Sequence, residues 1–238
     1  MMKLNLVNKE ASDIEYTINK YPDGQQNITL NTFFLKKFGI NDSVTIYSRL
    51  NNWKDLEIIV ATVASLKEAW IERIHLYVPY ILGARSDRKF EEGSNNYLKT
   101  VICPVLNRLG LQSITNMDSH SDVLEACLNN FRKQNNHKLV KWALEDINNK
   151  LDAQENTVFI SPDQGAAKKI YKVLEHVNYK GDPIICSKQR DEKGNLTKVL
   201  VPLDKDQIGK DCVIIDDICD GGATFINIAK AIDNFEKD

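Results

Sequence analysis

Residues Val213–Thr224 read VIIDDICDGGAT. The apolar run Val213–Ile215 has the β-branched composition of a buried strand, and the strand is expected over Asp211–Asp216. Two acids close it, Asp216 and Asp217. A third, Asp220, precedes Gly221, Gly222, Ala223 and Thr224, where a helical pattern begins that runs to Phe235. Glycines let backbone N–H groups come close to an anion, and the first turn of a helix favours negative charge. Paired carboxylates at the end of a strand can accept hydrogen bonds from a vicinal diol. The layout suits a ribose 5-phosphate group. A plain strand-turn-helix with an aspartate N-cap accounts for one acid and leaves two without a reason.

Working outward, the same alternation recurs. Strands are expected at Val44–Ser48, Ile74–Pro79, Leu111–Met117, Thr157–Ile160, Pro183–Ser187 and Leu196–Val201. Helices are expected at Asp55–Arg73, Tyr97–Leu109 and Gln164–Leu174, with Pro104 giving the second a kink or a late start and Gly110 ending it. The polar stretch Arg132–Glu155, around a short helical piece Leu139–Ile147, marks a junction. The fold expected is α/β: two domains, 1–140 and 150–238, each with a mainly parallel sheet flanked by helices. Ligands of such sheets bind at the carboxyl ends of the strands. The chemistry is therefore expected just after Val78, Met117, Ile160, Ser187 and Ile215, where the unusual polar clusters fall.

Composition narrows the function classes. The chain has 238 residues, 31 Lys plus Arg against 33 Asp plus Glu, and a formal net charge of -2, so no global basic field exists to hold nucleic acid. Hydrophobic residues are 42%, enough for a buried core. No apolar run approaches the roughly 18 residues that span a bilayer, and the first residues, MMKLNLVNKEASD, lack the apolar region of a secretory signal. The five cysteines are odd in number and form no C-x-x-C pair, which reads as buried thiols in a reducing, cytoplasmic compartment, with Cys219 set apart in the glycine loop.

Each remaining cluster has its own physics. Arg85, Arg88 and Lys89 follow a strand and suit a polyphosphate, since guanidinium forks onto phosphate oxygens; a solvated basic loop is the plainer reading. Asp118 and His120, one residue apart at a strand end, can both face one metal or phosphate, although an isolated histidine is more often structural. Asp163, after Pro162 and before a helix, is either a helix N-cap or a ligand contact. Lys188 and Arg190 share a side of an extended segment by period two, and the polar DEKGNLT that follows suits a loop closing over reacting phosphates; a charged hairpin is the alternative.

Taken together these blocks resemble the ribose-phosphate pyrophosphokinases, whose fold is that of the type I phosphoribosyltransferases. The 213–224 segment is similar to their D-D-x-x-D-T-G-G-T loop. YPDGQ at Tyr21–Gln25 resembles F-S-D-G-E, and VPYILGARSDRK at Val78–Lys89 resembles P-Y-x-x-Y-A-R-Q-D-R-K. NMDSHS at Asn116–Ser121, ISPDQG at Ile160–Gly165 and SKQR at Ser187–Arg190 resemble T-x-D-L-H-A, V-S-P-D-x-G and D-K-R-R. The resemblance implies transfer of the β,γ-pyrophosphoryl group of Mg·ATP to the anomeric hydroxyl of a ribose phosphate. It makes Lys188 and Arg190 catalytic, and it puts Asp23, Gly24, Gln25, Arg85, Ser86, Asp87, Arg88 and His120 at ATP. It puts Asp163, Asp216, Asp217, Asp220, Gly221, Gly222, Ala223 and Thr224 at the sugar phosphate, and Asp118, His120 and Asp163 at Mg²⁺. A homo-oligomer is implied, with no nucleic-acid or membrane partner.

Departures from the pattern matter. Gly221 stands where the family has Thr, Ala223 where it has its second Gly, Ser86 where it has Gln, and Gln25 where it has Glu. Asn129 and Lys133 replace further acids, which puts family-type regulation in doubt. Loss of a hydroxyl at Gly221 admits a 5′-substituted ribose, such as that of ADP-ribose, as acceptor beside ribose 5-phosphate. A phosphoribosyltransferase using phosphoribosyl pyrophosphate would share the 213–224 loop without needing the Arg85 and His120 blocks. A non-catalytic regulatory paralogue would be expected to lose Lys188 or Arg190, and both are present.

Overall fold

The structure is a computed structural model that describes residues 1–31, 33, 42–148, 156–190 and 196–235. It divides into two compact units, Met1–Gln134 and Asn135–Asp238. No helix among the described residues is long and apolar enough to cross a membrane.

In the first unit β1 is Met2–Asn5, and β2 (Tyr16–Lys20) and β3 (Gln26–Leu30) form an antiparallel hairpin. Gly24 (φ 97°) turns that hairpin, with Gly24 N–H bonded to Tyr21 O at 2.9 Å. Next come β4 (Ser43–Tyr47), α1 (Trp53–Glu68), β5 (Arg73–Val78), α2 (Cys103–Arg108), β6 (Ser113–Met117), α3 (Val123–Cys127) and β7 (Phe131–Gln134). One five-stranded sheet in the order β1-β4-β5-β6-β7 is parallel throughout. Its strands alternate Val44, Ile46, Ile74, Leu76, Val78 and Ile114 into the core, where Leu56, Ile59, Val63 and Leu66 of α1 pack.

Helix α1 ends earlier than its apolar spacing suggests. The expected helix ran on to Arg73, but Trp70 is left-handed (φ 63°), Trp70 N–H bonds Lys67 O and Ile71 N–H bonds Leu66 O. This is a Schellman stop with tryptophan in place of the usual glycine, and buried Leu66 and Ile71 are its apolar pair. Pro104 acts as the late start: a π-helical turn, Leu98–Ile102, precedes α2, and Gly110 (φ 63°) follows it.

The second unit contains α4 (His137–Asn148), β8 (Thr157–Ser161), α5 (Gln164–His176), β9 (Ile184–Ile185), β10 (Ser187–Arg190), β11 (Leu196–Leu200), β12 (Asp211–Ile214) and α6 (Ala223–Phe235). Parallel strands β12-β8-β9 make a three-stranded sheet with β8 central and buried along its whole length. Its period-two alternation feeds two layers. Val158 and Ile160 pack with Ile184, Cys186 and Ile228 of α6, while Phe159 packs with Ile170 and Leu174 of α5. The expected strand Pro183–Ser187 is split. Only Ile184–Ile185 pairs with β8, and Ser187–Arg190 leaves to form an antiparallel hairpin with β11. Strand β7 occupies the start of the expected junction, and the proposed loop at 191–195 and linker core at 149–155 lie outside the described residues.

Candidate functional site

All three strands of the second unit's sheet run the same way, so the segments after Ser161, Ile185 and Ile214 emerge at one edge. That topology brings together residues far apart in sequence. Asp163 is extended (φ −165°) and caps α5: its Oδ1 accepts the Ala166 N–H at 3.1 Å. Its Oδ2 accepts from Lys188 Nζ at 2.8 Å. Asp163 is thus an N-cap, with one oxygen serving the helix and the other taking the lysine. Lys188 has a side chain only 10% exposed. Beyond it the β10–β11 register slips by one between Gln189 and Arg190, because Thr197 is an extra residue on β11. The side chain of Arg190 lies outside the described residues.

After β12 the two leading acids are treated differently. Asp217 is paired with Lys169 of α5, and its side chain is 9% exposed. Its backbone N–H donates to Asp216 Oδ1 at 2.9 Å. Burial raises the Asp216 carboxyl above its ordinary value, Asp217 and Asp163 add to that repulsively, and the Asp217 N–H and Lys188 oppose it. Burial also pushes Asp163 up, but the Lys188 bond, the Ala166 and Gly165 N–H groups and the lysine charge outweigh it and leave the carboxyl below its usual range. Two lysines and three carboxylates therefore form one electrostatic group at the sheet edge. Asp220 and Gly221 are exposed, and Gly222 is left-handed (φ 74°) at the head of α6. A Cβ at Gly221 would meet nothing within 4 Å.

In the first unit the expected nucleotide residues lie on the hairpin turn and on two loops at the carboxyl edge of the sheet. Asp23 Oδ1 accepts the Gln25 N–H at 3.0 Å, closing the Tyr21–Gln25 turn. Arg85 and Arg88 are exposed and Ser86 and Asp87 half-buried. Their loop is pinned by Ser86 N–H to Gly83 O (2.8 Å), Leu98 N–H to Ser86 O (3.1 Å) and Asn96 Nδ2 to Asp87 O (2.5 Å). After β6, Asp118 is left-handed (φ 45°) with its N–H on Gln134 O, and His120 is exposed. Asn116, buried, joins the two loops: its amide donates to Val78 O (3.1 Å) and Pro79 O (2.8 Å), and its Oδ1 accepts from Ser119 Oγ (2.8 Å).

Among the described residues no group of three His, Cys, Asp or Glu is placed to hold a metal ion. Mg²⁺ needs no such group. It keeps several waters and takes one or two carboxylates plus substrate phosphates. Half-buried Asp118 suits that role, and three residues on the Ser121 hydroxyl is buried with no hydrogen-bond partner among the described residues.

Sequence reasoning missed Lys169, Asn116, Asn96 and Tyr97, which hold the named residues in place. The signal for Lys169 was present, since it lies six residues after Asp163 on an amphipathic helix, but nothing local said which acid it would meet. A cavity of about 160 Å³ in the second unit, lined in part by Leu144, Thr157, Phe159, His176 and Tyr179, sits at the opposite end of β8 from the acids.

Residues 130–237 match the phosphoribosyl transferase domain family. The chain is 27% identical over 221 residues to a ribose-phosphate pyrophosphokinase of Marinomonas sp. (strain MWYL1), covering 91% of this chain and 65% of that one. It is 26% identical to that of Pasteurella multocida, covering 91% and 66%, and 26% identical to that of Methanothermobacter thermautotrophicus, covering 88% and 68%. The chain thus spans about two thirds of the length of these relatives. In fold it is similar to the crystal structure of phosphoribosylpyrophosphate synthetase from Mycobacterium smegmatis, with a TM-score of 0.71 at 17% identity over 95% of this chain and 70% of that one.

Proposed function

We propose that this chain, which is similar to ribose-phosphate pyrophosphokinases and matches the phosphoribosyl transferase domain family over residues 130–237, is itself a pyrophosphokinase acting on a ribose phosphate. The observation that carries this reading is the convergence of Lys188, Asp163, Asp216 and Asp217 at one sheet edge, ahead of the glycine turn of α6. The anomeric hydroxyl of the sugar attacks the β-phosphorus of ATP. The bond from that phosphorus to the α-phosphate oxygen breaks, and AMP leaves. Such a reaction is governed by positioning and charge neutralisation.

The residues divide the work. Asp216 and Asp217 accept from the 2- and 3-hydroxyls, and the pairing of Asp217 with Lys169 holds that carboxylate in place. Residues 220–224 receive the 5-phosphate on backbone N–H groups at the start of α6. Lys188, held by Asp163, supplies positive charge to the transferring phosphates, with Arg190 two residues on. Asp23, Gly24 and Gln25, together with Arg85, Ser86, Asp87, Arg88 and His120, take the nucleotide. Mg²⁺, when bound, would neutralise phosphate charge, with Asp118 its protein carboxylate.

The finer reading concerns the acceptor. The open space at Gly221 leaves room for a group attached to the 5-phosphate, so ADP-ribose is an acceptor beside ribose 5-phosphate. The test is incubation with Mg·ATP and each sugar in turn, following AMP, in the parent and in Gly221→Thr. AMP with both sugars, and selective loss of the ADP-ribose reaction in Gly221→Thr, supports the reading. AMP with ribose 5-phosphate alone, unchanged by Gly221→Thr, removes ADP-ribose from it. AMP with neither overturns the pyrophosphokinase.

A further inference from the structure

Trp53 is the first residue of α1, just past the Asn52 cap, whose Oδ1 accepts the Lys54 and Asp55 N–H groups. The helix buries Leu56, Ile58, Ile59, Thr62, Val63 and Leu66, and leaves the indole 50% exposed. The core therefore does not need this side chain. The indole is nevertheless fixed: Nε1–H donates to Tyr97 Oη at 2.7 Å. Tyr97 is fixed in turn against the loop of Arg85. A Cβ on Gly83 (φ 81°) would lie 2.8 Å from Tyr97 Cδ1, so the ring rests directly on the Gly83 backbone. The residues on either side of Tyr97, Asn96 and Leu98, bond the carbonyls of Asp87 and Ser86.

The loop of exposed guanidiniums and the half-exposed indole are thus parts of one tied assembly at the carboxyl ends of β4 and β5, where ligands of parallel sheets bind. With its N–H already satisfied, the indole offers its apolar face. A flat apolar face one tyrosine ring away from a phosphate-binding loop matches a nucleotide, whose base and phosphates need those two surfaces at a short separation. We propose that Trp53 is the stacking platform for the base of the nucleotide whose phosphates meet Arg85 and Arg88, and that Tyr97 is its positioning residue. This rests on the reading of the Gly83–Lys89 loop as the nucleotide-phosphate site. It adds a contact that distinguishes ATP from a bare polyphosphate and that is tolerant of base identity, since every base has a π-face.

The test is calorimetric titration of the full chain with Mg·ATP and, separately, with Mg·tripolyphosphate, which carries the charge and no base. Trp53→Ala weakens ATP binding about tenfold or more, as removal of a base–aromatic stack does, and leaves tripolyphosphate unchanged. Trp53→Phe restores most of the ATP affinity. Tyr97→Phe, which keeps the ring on Gly83 and removes the oxygen that orients the indole, gives an intermediate loss for ATP alone. Equal ATP affinity in the parent and in Trp53→Ala, with tripolyphosphate binding intact, overturns the platform and leaves the loop assignment standing. Absence of binding of both compounds to the parent overturns the loop assignment, and the platform with it.

Discussion

Replacing Lys188 by Met separates the structural role of this lysine from the catalytic role proposed for it. The side chain is 10% exposed and its Nζ lies 2.8 Å from Asp163 Oδ2, while the Asp163 side chain is 41% exposed. Solvent on the acid side screens the pair, so its loss costs at most about 1 kcal/mol of stability. Asp163 keeps its bond from the Ala166 N–H, and the cap of α5 survives. The catalytic cost is larger. A preorganised cation aimed at developing phosphate charge is worth about 10²–10³ in turnover, or about 2.7–4 kcal/mol. Urea denaturation and initial-rate AMP release at saturating substrates measure the two quantities on the same variant. The pH dependence of stability gives an internal check. Asp163 titrates below its usual range in the folded protein, so the stability it contributes is complete above the unfolded value of about 3.9 and is lost as the pH falls through the depressed folded value. The parent's advantage over Lys188→Met must therefore close in acid. Turnover within about threefold of the parent, far short of the loss expected for a transition-state contact, would refute the role given to Lys188.

Three further expectations follow from particular residues. Burial and the neighbouring Asp217 raise the Asp216 carboxyl, so affinity for the ribose diol falls at a pH above the ordinary carboxylate range as the solution is acidified; KM for ribose 5-phosphate against pH shows this, and Asp216→Asn abolishes that limb. Gly222→Ala forces an L side chain to φ 74° and costs about 1–2 kcal/mol in urea denaturation, whereas Gly221→Ala, with open space around its Cβ, costs far less. Burial pushes the Cys103 thiol up to about 12 and Cys186 up to about 11, so a thiol reagent at neutral pH modifies exposed Cys219 in the native protein well before either; equal rates at Cys186 and Cys219 would contradict the packing.

Much of this was readable from the chain because strand ends carry the chemistry in parallel sheets. Asp163, Asp216 and Asp217 each follow a run of apolar residues, and that pattern alone puts them at the carboxyl ends of strands. Three kinds of feature were not readable. Strands β1, β2, β3 and β7 are short and mostly polar on one side, with Tyr16–Lys20 exposed along most of its length, so no apolar run announces them. The end of α1 depends on Trp70 accepting a left-handed conformation that composition gives no reason to expect. Long-range pairings such as Lys169 with Asp217 and Asn116 with Pro79 are set by crossovers, and local sequence names neither partner.

The proposed reaction turns on which phosphorus is attacked, and the most direct measurement is ³¹P NMR of the chain with Mg·ATP and ribose 5-phosphate. Attack at the β-phosphorus gives AMP and a new pyrophosphoryl signal coupled to the anomeric proton, in equal amounts, and both vanish with EDTA and return with Mg²⁺. ADP with a singly phosphorylated sugar would mean attack at the γ-phosphorus and would contradict the account.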